Sequence, residues 1–378
     1  MTLPWPARAA TSALFLVNGV GTGAWASAIA PMQARLALSP AALSLALLAI
    51  AAGAVVTMPL SGVLAARLGG SGRAATIAAL LYAPALAAPG LAPNLAALVA
   101  ATFAFGCVNG LMDVAMNAHA TTIERRWSGA ILSSFHAAWS FGGILGATLG
   151  GALLHAGFGA PGLLASASVL ALAVVGAAMR WLGPGEAAVR SGPAYRLPDA
   201  GMLGFALVAL LGMMTEGAMI DWSALYLTLI AQAPADVAAG GYGVFAGAML
   251  AGRLVGDAAV RALGRPRVIV VGAALATLGV LGAVAWPAPT VILIGYAMMG
   301  IGLSNLVPAV FSQSAAMASS PAVGIAMAAT VGYAGLLLGP VVIGAAASAA
   351  SLRAGFVLLA FALAAIMPVA WRAGRSPG

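Results

Sequence analysis

Long apolar segments separated by short polar turns occupy almost the whole chain of 378 residues. Each segment is too long for a strand of a soluble core and long enough to cross a bilayer as an α-helix, which takes about 20 apolar residues. The pattern predicts an all-α integral membrane protein with 12 transmembrane helices. The predicted spans cover residues 10–31, 41–65, 74–91, 94–122, 129–155, 160–182, 201–231, 239–262, 268–286, 289–316, 322–349 and 353–371.

The longest polar stretch follows the sixth span, at residues 183–200. It contains prolines and charged residues, which are typical of a loop. We therefore predict an N-terminal six-helix bundle, a cytoplasmic linker and a C-terminal six-helix bundle. Their expected ranges are 1–182, 183–200 and 201–378.

Arginines mark one side of the implied membrane. The chain has 16 basic residues, none of them Lys, and 8 acidic ones. All the arginines except Arg35, Arg253 and Arg353 fall at alternate segment ends. The cytoplasmic ends of membrane helices carry this kind of positive excess. The asymmetry predicts a multi-pass protein with both termini in the cytoplasm.

The composition excludes several classes of protein. Charged residues make up 6% of the chain, against about 25% in a soluble domain. The arginines are spread over short turns without a basic stripe, so a nucleic-acid partner is not expected. Cys107 is the only cysteine, and the three histidines lack metal-ligand spacing. We expect neither a cofactor nor a metal.

The two predicted bundles repeat polar positions at a constant spacing. Asn109 and Asn117 in span 4 are followed 196 residues later by Asn305 and Gln313 in span 10. A duplicated six-helix unit is a frequent transporter design, with the substrate site near the membrane midplane between the halves.

Glycines repeat in the same way. The run Gly142-x-x-x-Gly146 in span 5 recurs as Gly335-x-x-x-Gly339 in span 11. Small residues at this spacing allow membrane helices to approach closely. The Gly142 run also resembles a motif of exporters, but small-residue packing explains it equally well.

The turn between spans 2 and 3 has a distinct pattern. It reads Gly62-x-x-x-Ala66-Arg67-x-Gly69-x-x-Gly72-Arg73. This pattern is similar to the cytoplasmic-loop signature of the major facilitator superfamily, although Ala66 stands where that family usually has Asp. Span 8 carries a counterpart, Gly252-Arg253-x-x-Gly256-Asp257.

Polar runs in spans 4, 5 and 7 extend this resemblance. They read Asp113-Val-Ala-Met-Asn117, Ser134-Phe135-His136-Ala-Ala-Trp139-Ser140 and Glu216-Gly217-Ala218-Met219-Ile220-Asp221-Trp222-Ser223. The runs resemble a bacterial branch of the superfamily near the sugar (fucose-type) permeases. The resemblance covers essentially the whole chain. It implies two pseudo-symmetric six-helix bundles, a monomer in the bacterial inner membrane and a transport path lined by spans 1, 4, 7 and 10.

Acidic residues inside the apolar spans are the main candidates for chemistry. A charge at the centre of a membrane helix costs about 2.5–3.5 kcal/mol, so it faces a water-filled cavity, is paired, or takes up a proton. Asn109, Asp113 and Asn117 follow at i, i+4 and i+8 and form one polar stripe. The stripe favours a cavity wall over interhelical hydrogen bonding, which would not need an ionisable residue.

The other charged residues within spans have different expected roles. Glu216 lies near the middle of span 7, and Asp221 points about 140° away from it, so the two do not form a carboxylate pair. Arg253 and Asp257 are at i, i+4 and are predicted to form an ion pair that latches the inward gate. His136 either relays protons or packs through a hydrogen bond, and the sequence leaves both open.

These features predict a secondary transporter that works by alternating access. The sequence has no G-x-x-x-x-G-K-[ST] signature for nucleotides, so an ion or solute gradient supplies the energy. Proton coupling is predicted at Asp113, Glu216 and His136, with sodium as an alternative ion. Structural or gating roles are expected for Arg67, Arg73, Arg253 and Asp257. A sugar-like or other small polar solute is expected to contact Asn18, Trp25, Asn109, Asn117, Trp139, Trp222, Asn305 and Gln313.

Three alternatives compete with this interpretation. A proton-driven exporter of drugs or of cationic or amphipathic compounds would use the same acidic residues. An intramembrane enzyme is disfavoured because no paired catalytic constellation is visible. A sensor or scaffold would need a partner domain, and no extramembrane segment of this sequence is large enough to be one.

Overall fold

A computed structural model of the protein describes residues 5–38, 40–127, 129–183, 200–318 and 320–373. This part of the chain forms fourteen α-helices and contains no strand. The helices are α1 (Trp5–Arg35), α2 (Pro40–Thr57), α3 (Ser61–Arg67), α4 (Ser71–Leu91), α5 (Leu95–Arg125), α6 (Leu132–His155), α7 (Ala160–Leu182), α8 (Ala200–Ala231), α9 (Ala235–Leu263), α10 (Arg265–Ala285), α11 (Pro289–Leu303), α12 (Leu306–Met317), α13 (Pro321–Ala349) and α14 (Leu352–Ala373).

The helices are long and apolar enough to cross a membrane. Among the described residues there are 11 such spans, or 12 if the bent pair α2 and α3 is one span. The all-α membrane fold predicted from the sequence is therefore confirmed. The predicted linker, apart from Gly183 and Ala200, lies outside the described residues.

Two of the predicted spans are interrupted. Span 2 bends by 56° between α2 and α3, on either side of Pro59. Span 10 consists of α11 and α12, with Ser304 and Asn305 in a turn between them. Proline explains each break, because its ring removes the N–H that would continue the helical ladder. Pro308 lies four residues after Ser304 and has this effect on span 10.

The chain divides into two compact units. Unit 1 comprises Met1–Ser128, Phe135–Arg196 and Ala318–Ala326. Unit 2 comprises Gly129–Ser134, Leu197–Met317 and Met327–Gly378. The first turns of α6 and α13 therefore belong to a different unit from the rest of their helices.

In unit 1, α1 and α6 touch through their backbones. A Cβ atom at Gly142 would overlap the carbonyl oxygen of Leu16, and one at Gly146 would overlap that of Val20. Only glycine allows this approach, which replaces side-chain packing by direct backbone contact.

Unit 2 uses the same device between α8 and α13. A Cβ atom at Gly335 would overlap the carbonyl oxygen of Leu210, and one at Gly339 would overlap that of Met214. The glycine repeat found in the sequence therefore corresponds to the same type of helix contact in each unit.

We expect Gly146→Ala to destabilise the protein, because its Cβ would overlap the Val20 carbonyl and overpacking costs about 1–3 kcal/mol. Gly151→Ala on the same helix is the matched control, since a Cβ there meets nothing within 4 Å. The midpoint of thermal unfolding of the purified protein measures both effects. A Gly146→Ala variant as stable as Gly151→Ala would contradict the backbone contact.

Candidate functional site

Asn18 of α1 is the centre of a polar cluster in unit 1. Its Nδ2 donates to Oδ1 of Asn109 at 2.9 Å, and its Oδ1 accepts from the indole Nε1 of Trp139 at 2.8 Å. The hydroxyl of Tyr82 donates to the Asn18 backbone carbonyl at 3.2 Å. Asn18 thus connects α1 to α4, α5 and α6, and its own side chain is 4% exposed. The amide fixes the orientation of both Asn109 and Trp139.

Asn117, the last residue of the predicted polar stripe, contacts α6. Nδ2 of Asn117 donates to the backbone carbonyl of Asp113 at 2.9 Å and to its Oδ1 at 3.3 Å. Oδ1 of Asn117 then faces Nε2 of His136 at 3.1 Å. An amide oxygen only accepts, so this contact requires that Nε2 of His136 carries the hydrogen. Asn109 thus bonds to α1 and Asn117 to α6, while the cavity wall expected from the stripe stays a prediction.

Asp113 has a carboxylate oxygen without a partner. Its Oδ2 is buried and forms no hydrogen bond with any described residue. Other buried side-chain atoms, such as Oγ of Ser168 and Ser314, also lack a partner, but Oδ2 of Asp113 belongs to an ionisable group. A proton or a cation can bind there without displacing an existing hydrogen bond.

Two of the predicted tryptophans border the unit 1 cluster. Trp25 is partly buried and packs against Phe105, with 5.9 Å between the ring centroids. Phe105 also packs against Tyr82, with 5.5 Å between the centroids. Trp139 is partly buried, and its indole is held by Asn18. The cluster therefore combines fixed amides with aromatic faces.

In unit 2, the predicted site residue Asn305 lies at the break between α11 and α12. Its Nδ2 donates to the carbonyl of Gly252 at 3.0 Å and to Oγ of Ser304 at 2.8 Å. Its Oδ1 is buried without a described partner, in the space left by the missing side chain of Gly256. Asn305 therefore ties the broken span to α9.

Arg253 and Glu216 form the charged part of unit 2. Arg253 is 4% exposed, and its Nε donates to the Ser304 carbonyl at 3.3 Å. Glu216 itself is partly buried.

Trp222 and Gln313 are the remaining site residues predicted in unit 2. The Trp222 indole donates to the carbonyl of Pro340 at 3.2 Å and packs against Gly344 of α13. Gln313 is partly buried on α12.

Asp257 stabilises the start of α6. Its two carboxylate oxygens accept from the backbone N–H groups of Ser133 at 2.8 Å and Ser134 at 3.1 Å. A negative charge at a helix N-terminus is favourable because the helix dipole is positive there. One turn further along α9, Arg261 donates to the carbonyl of Ala130 at 2.9 Å. Asp257 and Arg253 each contact another element in this way, and the ion pair that their spacing predicts stays a prediction.

The arginines of the turn between α3 and α4 are exposed. Arg67 ends α3, and Arg73 lies in the first turn of α4 with its guanidinium against Gly69. Gly69 and Gly70 have φ angles of 85° and 122°, which other residues rarely adopt. Of the glycines in the pattern, Gly69 is therefore required by the backbone of the turn, and the adjacent Gly70 is required in the same way.

Comparison with known proteins identifies the family. The Major Facilitator Superfamily matches residues 11–331. The chain belongs to this superfamily. Members of the superfamily are transporters, so the resemblance inferred from the loop and span motifs is confirmed.

Relatives and solved structures agree with this assignment. An uncharacterized MFS-type transporter of Yersinia pestis is 34% identical over 363 residues, which cover 94% of this chain and 93% of the relative. The crystal structure of FucP in the outward conformation is 15% identical, covers 98% of this chain and 99% of its own, and has a TM-score of 0.79. The proton:xylose symporter XylE is 14% identical over 98% of this chain and 95% of its own, with a TM-score of 0.80. These two structures share the fold.

Three residues that shape these clusters are not predicted from the sequence. Tyr82 donates a hydrogen bond to the Asn18 backbone carbonyl. Pro308 has no N–H and so interrupts span 10, and the Ser304 carbonyl at the break accepts from Arg253 instead. The spacing of Ser304 and Pro308 is a usable signal, since a proline leaves the carbonyl four residues earlier without its donor. A lone tyrosine in an apolar span carries no comparable signal.

The Asn18–Trp139 hydrogen bond can be tested by a double-mutant cycle. We expect Asn18→Ala and Trp139→Phe to be non-additive by about 1 kcal/mol in the free energy of unfolding, because each removes the same bond. Trp25→Phe is the control and should be additive with Asn18→Ala, since the Trp25 ring packs against Phe105. Equal additivity in both cycles would show that the Asn18–Trp139 bond contributes nothing.

Proposed function

We propose that this transporter moves a small polar solute by alternating access and couples the movement to protons. The observation that carries the proposal is the unsatisfied Oδ2 of Asp113, buried in a membrane span beside a polar cluster. An ionisable residue in such a position marks an ion or substrate pathway in membrane proteins. The role predicted for Asp113 from its place in the stripe agrees with these surroundings.

Neighbouring groups support a proton as the coupling ion. His136 is connected to Asp113 through the Asn117 amide, so a second titratable side chain lies within the same hydrogen-bonded chain. Histidine exchanges protons near neutral pH. FucP and XylE are named as proton symporters for fucose and xylose, which is consistent with proton coupling here.

The unit 1 cluster suits a solute with hydroxyl groups. Amides offer a donor and an acceptor together, which matches a hydroxyl. Asn109 and Trp139 are both partly exposed, and both are held in place by Asn18. We propose that a sugar-like or other polar metabolite binds here, with aromatic faces from Trp25 and Trp139. The substrate contacts predicted from the sequence for Trp222, Asn305 and Gln313 stay predictions.

The arginine pattern supports insertion in the inner membrane with both termini in the cytoplasm. In this orientation, aromatic residues lie beside arginines at the cytoplasmic ends of the spans. The Arg8 guanidinium lies 4.5 Å from the Trp127 ring centroid, and that of Arg180 lies 3.8 Å from Trp181. Such aromatic and basic side chains are typical of the membrane interface. We further propose that the protein acts as a monomer.

The decisive test uses charge movement by the purified protein in proteoliposomes on a solid-supported membrane. A panel of sugars, sugar acids, amino acids and cationic drugs would be applied with and without a pH gradient. We expect a pH-dependent current with one solute class, and its loss in Asp113→Asn because the proton site is removed. Solute exchange without a gradient should survive in that variant.

Asp221→Asn is the matched control. Asp221 is an exposed carboxyl on α8, outside the unit 1 cluster, and we expect its variant to keep the pH-dependent current. Full gradient-driven accumulation by Asp113→Asn would refute the proposed role of Asp113. A response to cationic drugs alone would favour the exporter alternative.

A further inference from the structure

A groove separates the first turns of α1 from the last turns of α7 in unit 1. It encloses a cavity of about 460 Å³, within the range of about 300–1,000 Å³ that is usual for small-molecule sites. A methyl group is too short to fill the space between the two helices, and alanines make up most of the lining: Ala9, Ala10, Ala13, Ala177 and Ala178. Ala10 and Ala178 are 3% and 7% exposed and form the floor, whereas Ala9 and Ala177 are exposed along the rim.

The lining of this groove is suited to a hydrocarbon chain. Among the described residues, every side chain that lines it is apolar. The groove therefore offers no side-chain hydrogen bond to a polar solute, and burial of apolar surface is what it provides. Both helices belong to spans long and apolar enough to cross the membrane, so the natural source of such a chain is the bilayer itself.

A positive charge lies at one end of the groove. Trp181 of α7 is a lining residue, and the guanidinium of the exposed Arg180 lies 3.8 Å from the centroid of its ring. Stacking uses the flat face of a guanidinium and leaves the N–H donors at its edge directed outward, in the fork that binds a phosphate. The aromatic ring thus holds a phosphate-binding group next to the apolar cavity.

The two helices that form the groove supply no counter-ion for this charge. The sequences of α1 and α7 contain no acidic residue. Trp181 is 43% exposed at the end of its span, the position where tryptophan lies at the level of lipid headgroups. Basic pockets between membrane helices bind anionic headgroups. Charge and lining therefore match the two parts of an anionic phospholipid.

We propose that the groove between α1 and α7 binds one anionic phospholipid, with an acyl chain along the alanines and the headgroup phosphate at the guanidinium of Arg180. The orientation proposed above places this lipid in the cytoplasmic leaflet. The inference goes beyond the proposed transport function and does not depend on it, because binding is measured without a solute or a pH gradient.

Native mass spectrometry of the full-length protein tests the proposal. The protein would be reconstituted in vesicles of equal parts phosphatidylglycerol and phosphatidylcholine with the same acyl chains, and then released with its bound lipids. We expect one phosphatidylglycerol molecule to be retained in preference to phosphatidylcholine. Equal retention of the two lipids by the wild-type protein would overturn the proposal.

Replacement of the anchoring arginine tests the headgroup contact. We expect Arg180→Gln to lower the ratio of bound phosphatidylglycerol to phosphatidylcholine about fivefold, the effect of one arginine near a membrane surface. Arg8→Gln is the matched control. Arg8 is a basic residue near the start of α1, but its guanidinium lies against Trp127, 4.5 Å from the ring centroid, and Trp127 does not line the groove. Equal losses in the two variants would show a general attraction to arginines and would contradict a defined site.

Filling the groove tests the contact with the acyl chain. Ala177→Leu would place a larger side chain in the cavity, and we expect it to abolish retention of phosphatidylglycerol. Ala165→Leu is the same substitution at an exposed position of α7 outside the groove and should leave retention unchanged. If residues 184–199, which follow α7 in the sequence, occupied the groove instead of a lipid, Ala177→Leu would not reduce retention, and the proposal would be refuted.

Discussion

The absence of hydrogen-bonding partners in the hydrocarbon of a membrane governs this structure. Every polar group inside a span has to find its partner within the protein. Several threonine hydroxyls do so on their own helix: Thr22, Thr148 and Thr277 each donate to the carbonyl four residues earlier, at 2.9, 2.8 and 2.7 Å. Amides and charged groups reach further and connect different helices, as Asn18 and Asn305 do.

The need of amides and charged groups for a partner on another helix explains where the polar clusters around Asn18 and Asn305 form. An asparagine in a span that contacts another helix has to be placed against a matching group, so Asn18 aligns Asn109 and Trp139 together. The same requirement places Arg253 beside the free carbonyl of Ser304. Oδ2 of Asp113 lacks such a partner among the described residues, which is why we propose it as the place where a proton binds.

The sequence predicts the parts of this arrangement that depend on one helix at a time. The spans follow from apolar length, the Asn109–Asp113–Asn117 stripe from helical spacing, and the Gly142 and Gly335 runs from their repeat. Contacts between helices are harder to predict from the sequence. The spacing of Arg253 and Asp257 on α9 does not reveal that Arg253 binds the Ser304 carbonyl or that Asp257 binds the first turn of α6. Only the packing of distant segments decides between such partners.

The backbone contacts between α1 and α6 and between α8 and α13 have a mechanical consequence. A side-chain interface can adjust by changing rotamers, but two backbones separated only by glycine have no such freedom. We therefore expect each helix pair to be stiff and to move as one rigid body. Bending during a transport cycle has to be absorbed elsewhere, and the interrupted helices at Pro59 and at Ser304 are the natural joints.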